Sequence, residues 1–316
     1  MANNTKFASK IGMIAATVGS AVGLGNVWRF PAEAQANGGA VFLFIYILCI
    51  FLLGIPVMTA EFALGRGGES DASGVYSRVT PGHKAWGAAG VMAILASYLI
   101  LSFYMVVSGW TFEYLVQSVT GGLYSSSLTG EAAFRDKMGS FITGTYRPIV
   151  MTVIMILANM YVLIRGVQKG IEKMSNIMMP VLFLLLVIFC GVSLSLDKAA
   201  EGLDFFLRPD FSHVTPATFV NALGQSFFSL SLAMGILVTY ASYFPSDAKL
   251  TRTAVTVSLL DLMVAIFMGF IIFPAVMTFG LQDSNLAGSA LVFITLPEIF
   301  AQMGGTRIWS SDRKSV

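Results

Sequence analysis

Seven apolar runs, each long enough to cross a bilayer, constrain this chain more than any other feature. They fall at about 11–35, 40–64, 86–118, 148–165, 172–195, 219–243 and 253–280, and a spanning helix needs about 20 apolar residues. Lipid offers backbone groups no outside partner, so runs of this kind must satisfy themselves as helices. The fold class that follows is an all-α integral membrane protein. Composition agrees, with 56% hydrophobic and 11% charged residues, where a soluble domain carries about 25% charged. A net charge of +2 gives no basic field for nucleic acid. The first run is too long for a cleaved secretory signal. Cys49 and Cys190 both lie within apolar runs and have neither disulfide nor metal-ligand spacing. The run 86–118 exceeds a bilayer and must tilt or protrude. No zinc-protease, serine-hydrolase or phosphate-loop motif is present, and the two histidines, His83 and His213, fall in polar connections. These absences argue against an enzyme.

The first two runs are joined by Asn37-Gly38-Gly39, a turn short enough to make them antiparallel neighbours. With Arg29 inside a span and the three basic residues of 306–316 set aside, a cytoplasmic N-terminus puts ten lysines and arginines on the cytoplasmic side and five outside, the sense that the positive-inside bias requires. The connections 119–147 and 196–218 are then extracellular. The segment 286–303, interrupted by Pro297 and Glu298, reads as a helix-break-helix loop dipping into a vestibule.

One run contradicts its own apolarity. Gly19-Ser-Ala-Val-Gly-Leu-Gly-Asn-Val-Trp-Arg-Phe-Pro31 places three glycines, Asn26, Arg29 and a proline at membrane depth. Non-helical or polar structure survives there only when buried in protein or lining a wet cavity. Unwinding at Gly19, Gly23 and Gly25 frees carbonyls for a cation and amides for an anion, and the next half-helix aims a positive dipole end at an anion. Gly19-xxx-Gly23 also matches a helix-packing motif, and spacing alone leaves packing open. A second candidate break, Phe227-Phe-Ser-Leu-Ser-Leu-Ala-Met-Gly235, lies in the sixth run. Interrupted helices in corresponding positions of two repeats point to a secondary-transporter binding site.

These residues resemble the neurotransmitter:sodium symporter family, bacterial type. The resemblance rests on the stretch 19–31, on Asn-Gly-Gly followed by Gly54-Ile-Pro-Val-Met-Thr-Ala-Glu-Phe-Ala-Leu-Gly-Arg66, on 227–243, and on Gly288-Ser-Ala-Leu-Val-Phe-Ile-Thr-Leu-Pro-Glu-Ile-Phe300. It implies the first seven spans of an inverted-repeat (5+5) fold with helices 1 and 6 broken at mid-membrane. Residues 1–305 would form one transmembrane domain, with a first repeat at about 8–195 and an incomplete second at about 219–305. The implied activity is sodium-coupled symport of an amino acid by alternating access in the cell membrane, with sodium as a co-transported ion and no cofactor. A first sodium site would use the Ala21 carbonyl, Asn26, Ser229, Asp261 and the substrate carboxylate. A second would take the Gly19 and Val22 carbonyls. The substrate carboxylate would meet the Leu24 and Gly25 amides and the Tyr104 hydroxyl. Its amine would meet carbonyls of Ala21, Phe228 and Ser229 and the Ser231 hydroxyl. Ile100, Phe228 and Met234 would line the side-chain pocket, and Arg29 and Phe228 would form the outer gate.

Two positions discriminate within the family. Gly23 stands where monoamine carriers have an aspartate, so the substrate is expected to bring its own carboxylate. The apolar pocket favours a neutral, hydrophobic or aromatic amino acid. Asp261 is an ionisable residue inside a span. Chloride-dependent relatives would use Tyr46, Gln225 and Ser229 for the anion. Here Asp261 is expected to supply that negative charge, with Ala265 leaving the alternative position empty. Among the other intramembrane carboxylates, Glu33 is spaced to pair with Arg29, Glu61 is expected in a buried network with the unwound region, and Glu113 in a structural role. After Gly305 the family continues with an apolar span, whereas this chain reads Thr-Arg-Ile-Trp-Ser-Ser-Asp-Arg-Lys-Ser-Val. Residues 306–316 are therefore expected to be a non-family tail, and the chain a C-terminally truncated carrier, with an inactive fragment or a half needing a complementing chain as the alternative.

Overall fold

The computed structural model describes residues 6–82, 84–123, 130–281, 290–297 and 299. Among them five helices are long and apolar enough to cross a membrane: α3 (Ala40–Gly68), α5 (Gly87–Val119), α7 (Arg147–Ile164), α8 (Val167–Leu194) and α12 (Leu250–Phe279). A sixth span is the pair α1 (Lys10–Ala21) and α2 (Gly25–Ala36), bent by 51° at the intervening break. The remaining run, the sixth in chain order, is two shorter helices, α10 (Pro216–Ser229) and α11 (Ile236–Ser242). Both breaks therefore fall in the runs where sequence placed them. Between the spans lie α4 (Val75–Val79), α6 (Glu131–Ile142) and α9 (Ala199–Leu207). At 33 residues, α5 is about 50 Å long, well beyond a hydrocarbon core of about 30 Å.

Helix ends follow local chemistry. Ser9 caps α1 by accepting from the Gly12 amide at 2.8 Å. Thr215 and Thr218 cap α10 reciprocally, with Pro216 in the first turn. The turn into α3 uses Gly38 and Gly39 at φ +87° and +57°, and a Cβ on Gly39 would stand 2.3 Å from the Phe205 carbonyl oxygen. That position needs glycine for its backbone and for its space.

The centre of the molecule is α12, buried along most of its length. Phe30, Phe42, Tyr46, Phe206 and Phe273, all fully buried or nearly so, join α2, α3, α9 and α12 through tilted, edge-to-face and stacked rings, Phe30 and Tyr46 at 5.2 Å. By contrast, α7 has no buried residue and exposes Ile149, Val150, Val153, Leu157 and Leu163. Such a helix is stable only with lipid around it. It meets α5 closely where a Cβ on Gly109 would lie 2.7 Å from the Thr152 backbone nitrogen.

Glu113 is fully buried and takes two bonds from Arg147, at 2.8 and 3.0 Å, and one from Gln117; this is the structural role expected of it. Of the expected helix-break-helix loop, residues 290–297 and 299 are described. They contain a π-helical turn, Leu291–Thr295, joined to α5 by the Tyr114 hydroxyl donating to the Phe293 carbonyl at 2.9 Å. The remainder of that loop, residues 306–316 and His83 lie outside the described residues.

Candidate substrate and sodium site

The first break is narrower than its three glycines suggest. Gly19 stays inside α1, facing Ser175 and Met179 of α8. The chain departs from helix at Val22, whose ψ is +116°, and re-enters through a π-helical turn at Gly25–Arg29. None of the three glycines takes positive φ. Gly25 gives room instead: a Cβ there would stand 3.0 and 3.1 Å from the Phe228 ring, which would have to shift.

The second break spans residues 230–235, between α10 and α11. Ser231, Ala233 and Gly235 have φ of +54°, +61° and +70°. Two of these are not glycine, and each costs about 1–3 kcal/mol, which its surroundings must offset. They are held. The Ser231 hydroxyl donates to the Ser20 carbonyl at 2.9 Å. The Ala233 amide donates to Glu61 Oε1 at 2.6 Å. The Met234 carbonyl accepts from the Ser97 hydroxyl at 2.6 Å. Glu61 thus serves the second unwound region, and its other oxygen is buried without a partner.

The two breaks meet. Asn26, fully buried, accepts from the Gly23 amide at 3.1 Å and donates to Ser229 Oγ at 2.9 Å and Asp261 Oδ1 at 2.9 Å. Ser229 donates to Asp261 Oδ2 at 2.7 Å, and the Tyr46 hydroxyl approaches the same oxygen at 3.5 Å. Gln225 Nε2 donates to the Gly25 carbonyl at 2.9 Å, while its Oε1 is buried without a partner. Asp261 is 0% exposed, and no cationic side chain among the described residues pairs with it. A buried carboxylate lacking a cation is costly by several kcal/mol, which makes this junction a place where a cation would be favoured.

Around the cluster, the Arg29 guanidinium lies over the Phe228 ring at 4.8 Å and pairs with Glu33 at 3.7 Å. A Cβ on Gly23 would point at the Tyr104 ring, 3.9 Å away. Ile100, half-buried, sits one turn before Tyr104 on α5. Ala21, Leu24, Gly25, Phe228, Ser229, Ser231 and Met234 all flank the two breaks. Gly19 and Val22 lie on the α8 side and at the break itself. Sequence reasoning missed Ser97; its signal was its place on the α5 face that also carries Ile100 and Tyr104.

Comparison with known proteins agrees with this geometry. The sodium:neurotransmitter symporter family profile matches residues 4–133 and 137–311. The chain is 39% identical over 298 residues to the sodium-dependent transporter YhdH of Bacillus subtilis, covering 94% of this chain and 65% of YhdH. It is 28% identical to the mouse sodium-dependent neutral amino acid transporter B(0)AT3, covering 90% of this chain and 49% of that protein. The crystal structure of MhsT in complex with L-phenylalanine superposes with a TM-score of 0.86 at 42% identity, over 95% of this chain and 67% of MhsT. The chain thus spans about two thirds of the length of its bacterial relatives. Matched along nearly all of its length, with two broken helices meeting at a buried carboxylate, this all-helical chain belongs to the sodium:neurotransmitter symporter family, a family of transporters and not of enzymes.

Proposed function

We propose that the chain carries the substrate and sodium sites of a symporter for a neutral, hydrophobic or aromatic amino acid, working by alternating access in the cell membrane with its N-terminus cytoplasmic. The carrying observation is Asp261, a fully buried carboxylate at the junction of two broken helices, with amide and hydroxyl donors beside it. One sodium would bind there, using the Ala21 carbonyl, Asn26, Ser229, Asp261 and the substrate carboxylate. A second would bind at the Gly19 and Val22 carbonyls. An ion that shares a ligand with the substrate raises substrate affinity and is raised by it equally.

The substrate carboxylate would meet the Leu24 and Gly25 amides and Tyr104. The amine would meet carbonyls of Ala21, Phe228 and Ser229 and the Ser231 hydroxyl. Ile100, Phe228 and Met234 would contact the side chain, beneath the Arg29–Phe228 stack. Gly23 supports an amino acid over an amine, because an aspartate at 23 would be aimed into this space and glycine leaves it without an acid. MhsT, solved with L-phenylalanine, supports an aromatic or large aliphatic side chain.

The test is equilibrium binding of labelled L-phenylalanine to the purified 316-residue chain in lipid nanodiscs, in sodium and in potassium, with phenethylamine as competitor. Sodium-dependent binding that phenethylamine fails to displace is expected. Sodium-independent binding, or preference for the decarboxylated amine, overturns the reading.

A further inference from the structure

The second break is pinned by a residue to which no role has been assigned. Gly90, Ala93, Ser97, Ile100 and Tyr104 recur at steps of three and four along α5, so they share one face of that helix. The near end of the face is packed without slack. A Cβ on Gly90 would lie 2.3 Å from the Ala72 carbonyl oxygen, and a Cβ on Gly235 would lie 2.6 Å from Ala72 Cβ and 3.2 Å from Ala93 Cβ. The far end, Ile100 and Tyr104, belongs to the proposed pocket. Ser97 stands between them.

A serine inside a helix ordinarily bonds back to its own preceding turn. Ser102 on the same helix does so, to the Tyr98 carbonyl at 2.9 Å. Ser97 instead reaches 137 positions along the chain to the Met234 carbonyl, at 2.6 Å. On the other side of Met234, the Ala233 amide is held by Glu61 at 2.6 Å. The segment is therefore held at the Leu232–Ala233 peptide and again at the Met234–Gly235 peptide, where Ser231 and Ala233 hold strained backbone. Strain of this kind persists only while its surroundings over-determine it.

We infer that Ser97 is a positioning residue for substrate selectivity: its hydroxyl holds the Met234 carbonyl at a set height on α5, and so fixes how long a substrate side chain the pocket accepts. This rests on the amino acid carrier reading above. Without the hydroxyl, the 233–235 backbone is free to give way. Large side chains then gain room while small ones lose their contact with Met234.

Ser97→Ala, Ser97→Thr and Ser97→Cys in the full chain test this in two measurements. The first is amide hydrogen exchange of the 230–237 segment without substrate. Exchange should be faster in Ser97→Ala, intermediate in the near-isosteric but weaker donor Ser97→Cys, and parent-like in Ser97→Thr. Parent-like exchange in Ser97→Ala overturns the inference, and Ser97→Cys decides the point should the alanine variant not fold. The second is sodium-dependent competition by valine, leucine, phenylalanine and tryptophan. The tryptophan-to-valine affinity ratio should rise roughly fivefold in Ser97→Ala, the worth of about one hydrogen bond, and return in Ser97→Thr. An equal loss for all four amino acids, as a merely structural role would give, overturns it. If the parent binds none of the four, the carrier reading fails, while the exchange measurement still decides whether Ser97 holds the break.

Discussion

Asp261→Asn tests the electrostatic core of this reading. The carboxylate is fully buried, with Asn26 Nδ2 at 2.9 Å and Ser229 Oγ at 2.7 Å. Asparagine keeps the shape and removes the charge. A sodium ion on the oxygen end of the Asn26 amide would stand about 6 Å from the carboxylate. With an effective dielectric of about 20, that attraction is about 3 kcal/mol, or about 100-fold in sodium affinity. As a ligand of the ion, the role proposed above, Asp261 stands closer than this, so about 100-fold is the lower bound of the loss. A diffusible anion can replace the missing charge, because Tyr46, Gln225 and Ser229 already present polar groups at or beside this position. The assay is a sodium titration of L-phenylalanine binding in gluconate and again in chloride. Parent binding should be indifferent to chloride. The variant should need at least about 100-fold more sodium in gluconate and recover part of that loss in chloride. A second readout is thermal stability in sodium-free buffer, which should rise in the variant because an uncompensated buried charge has been removed. A parent-like sodium titration of the variant in gluconate, or strong chloride stimulation of the parent with none in the variant, refutes the reasoning.

Three further substitutions probe the frame around the site. Gly25→Ala puts a methyl 3.0 Å from the Phe228 ring; the ring can rotate away from Arg29, so thermal stability should change little while amino acid affinity falls, and unaltered binding would count against Phe228 as a pocket wall. Gly65→Ala puts a methyl 2.0 Å from the Val238 carbonyl oxygen, where both partners are backbone, so α3 and α11 must separate at a cost of about 3 kcal/mol or more. An unchanged melt by far-ultraviolet circular dichroism would refute that close approach. Glu172 accepts from the Ala8 amide at 2.8 Å, the Ser9 amide at 3.1 Å and the Ser9 hydroxyl at 2.9 Å. Glu172→Ala should therefore loosen the N-terminal segment and speed trypsin cleavage after Lys6 and Lys10, and a parent-like cleavage rate would refute it.

Several features of the site were legible from residue type and local order. Asn26, Arg29 and Asp261 announce themselves because polar groups are rare in an apolar run. Arg29 and Glu33 lie four apart, and they pair. The glycines of the first break were misread in detail: Gly19 remains helical, and Gly25 serves space and not backbone freedom. That distinction depends on the Phe228 ring, which comes from a helix about two hundred positions away. Ser97 gave only its place on a helical face, because an isolated serine in a helix has a local partner by default. The left-handed backbone at Ser231 and Ala233 had no sequence signal, since neither residue favours it; Glu61, Ser97 and Ser20 impose it from three other helices.

By itself the sequence determined that the chain is a bundle of membrane-spanning helices and that two of its apolar runs are interrupted. Lipid cannot satisfy a backbone, so apolarity over about 20 residues dictates a helix, and glycine and polar residues within it mark where the helix gives way. Tertiary structure alone decided that the two interruptions face each other, that Asn26 meets Ser229 and Asp261 across 203 and 235 positions, and that α5 grips the second break through Ser97. A periodic pattern reports which face of one helix is apolar. Which faces come together is settled by packing among helices distant in sequence, through close approaches such as Gly65 on Val238 and Gly202 on Pro274.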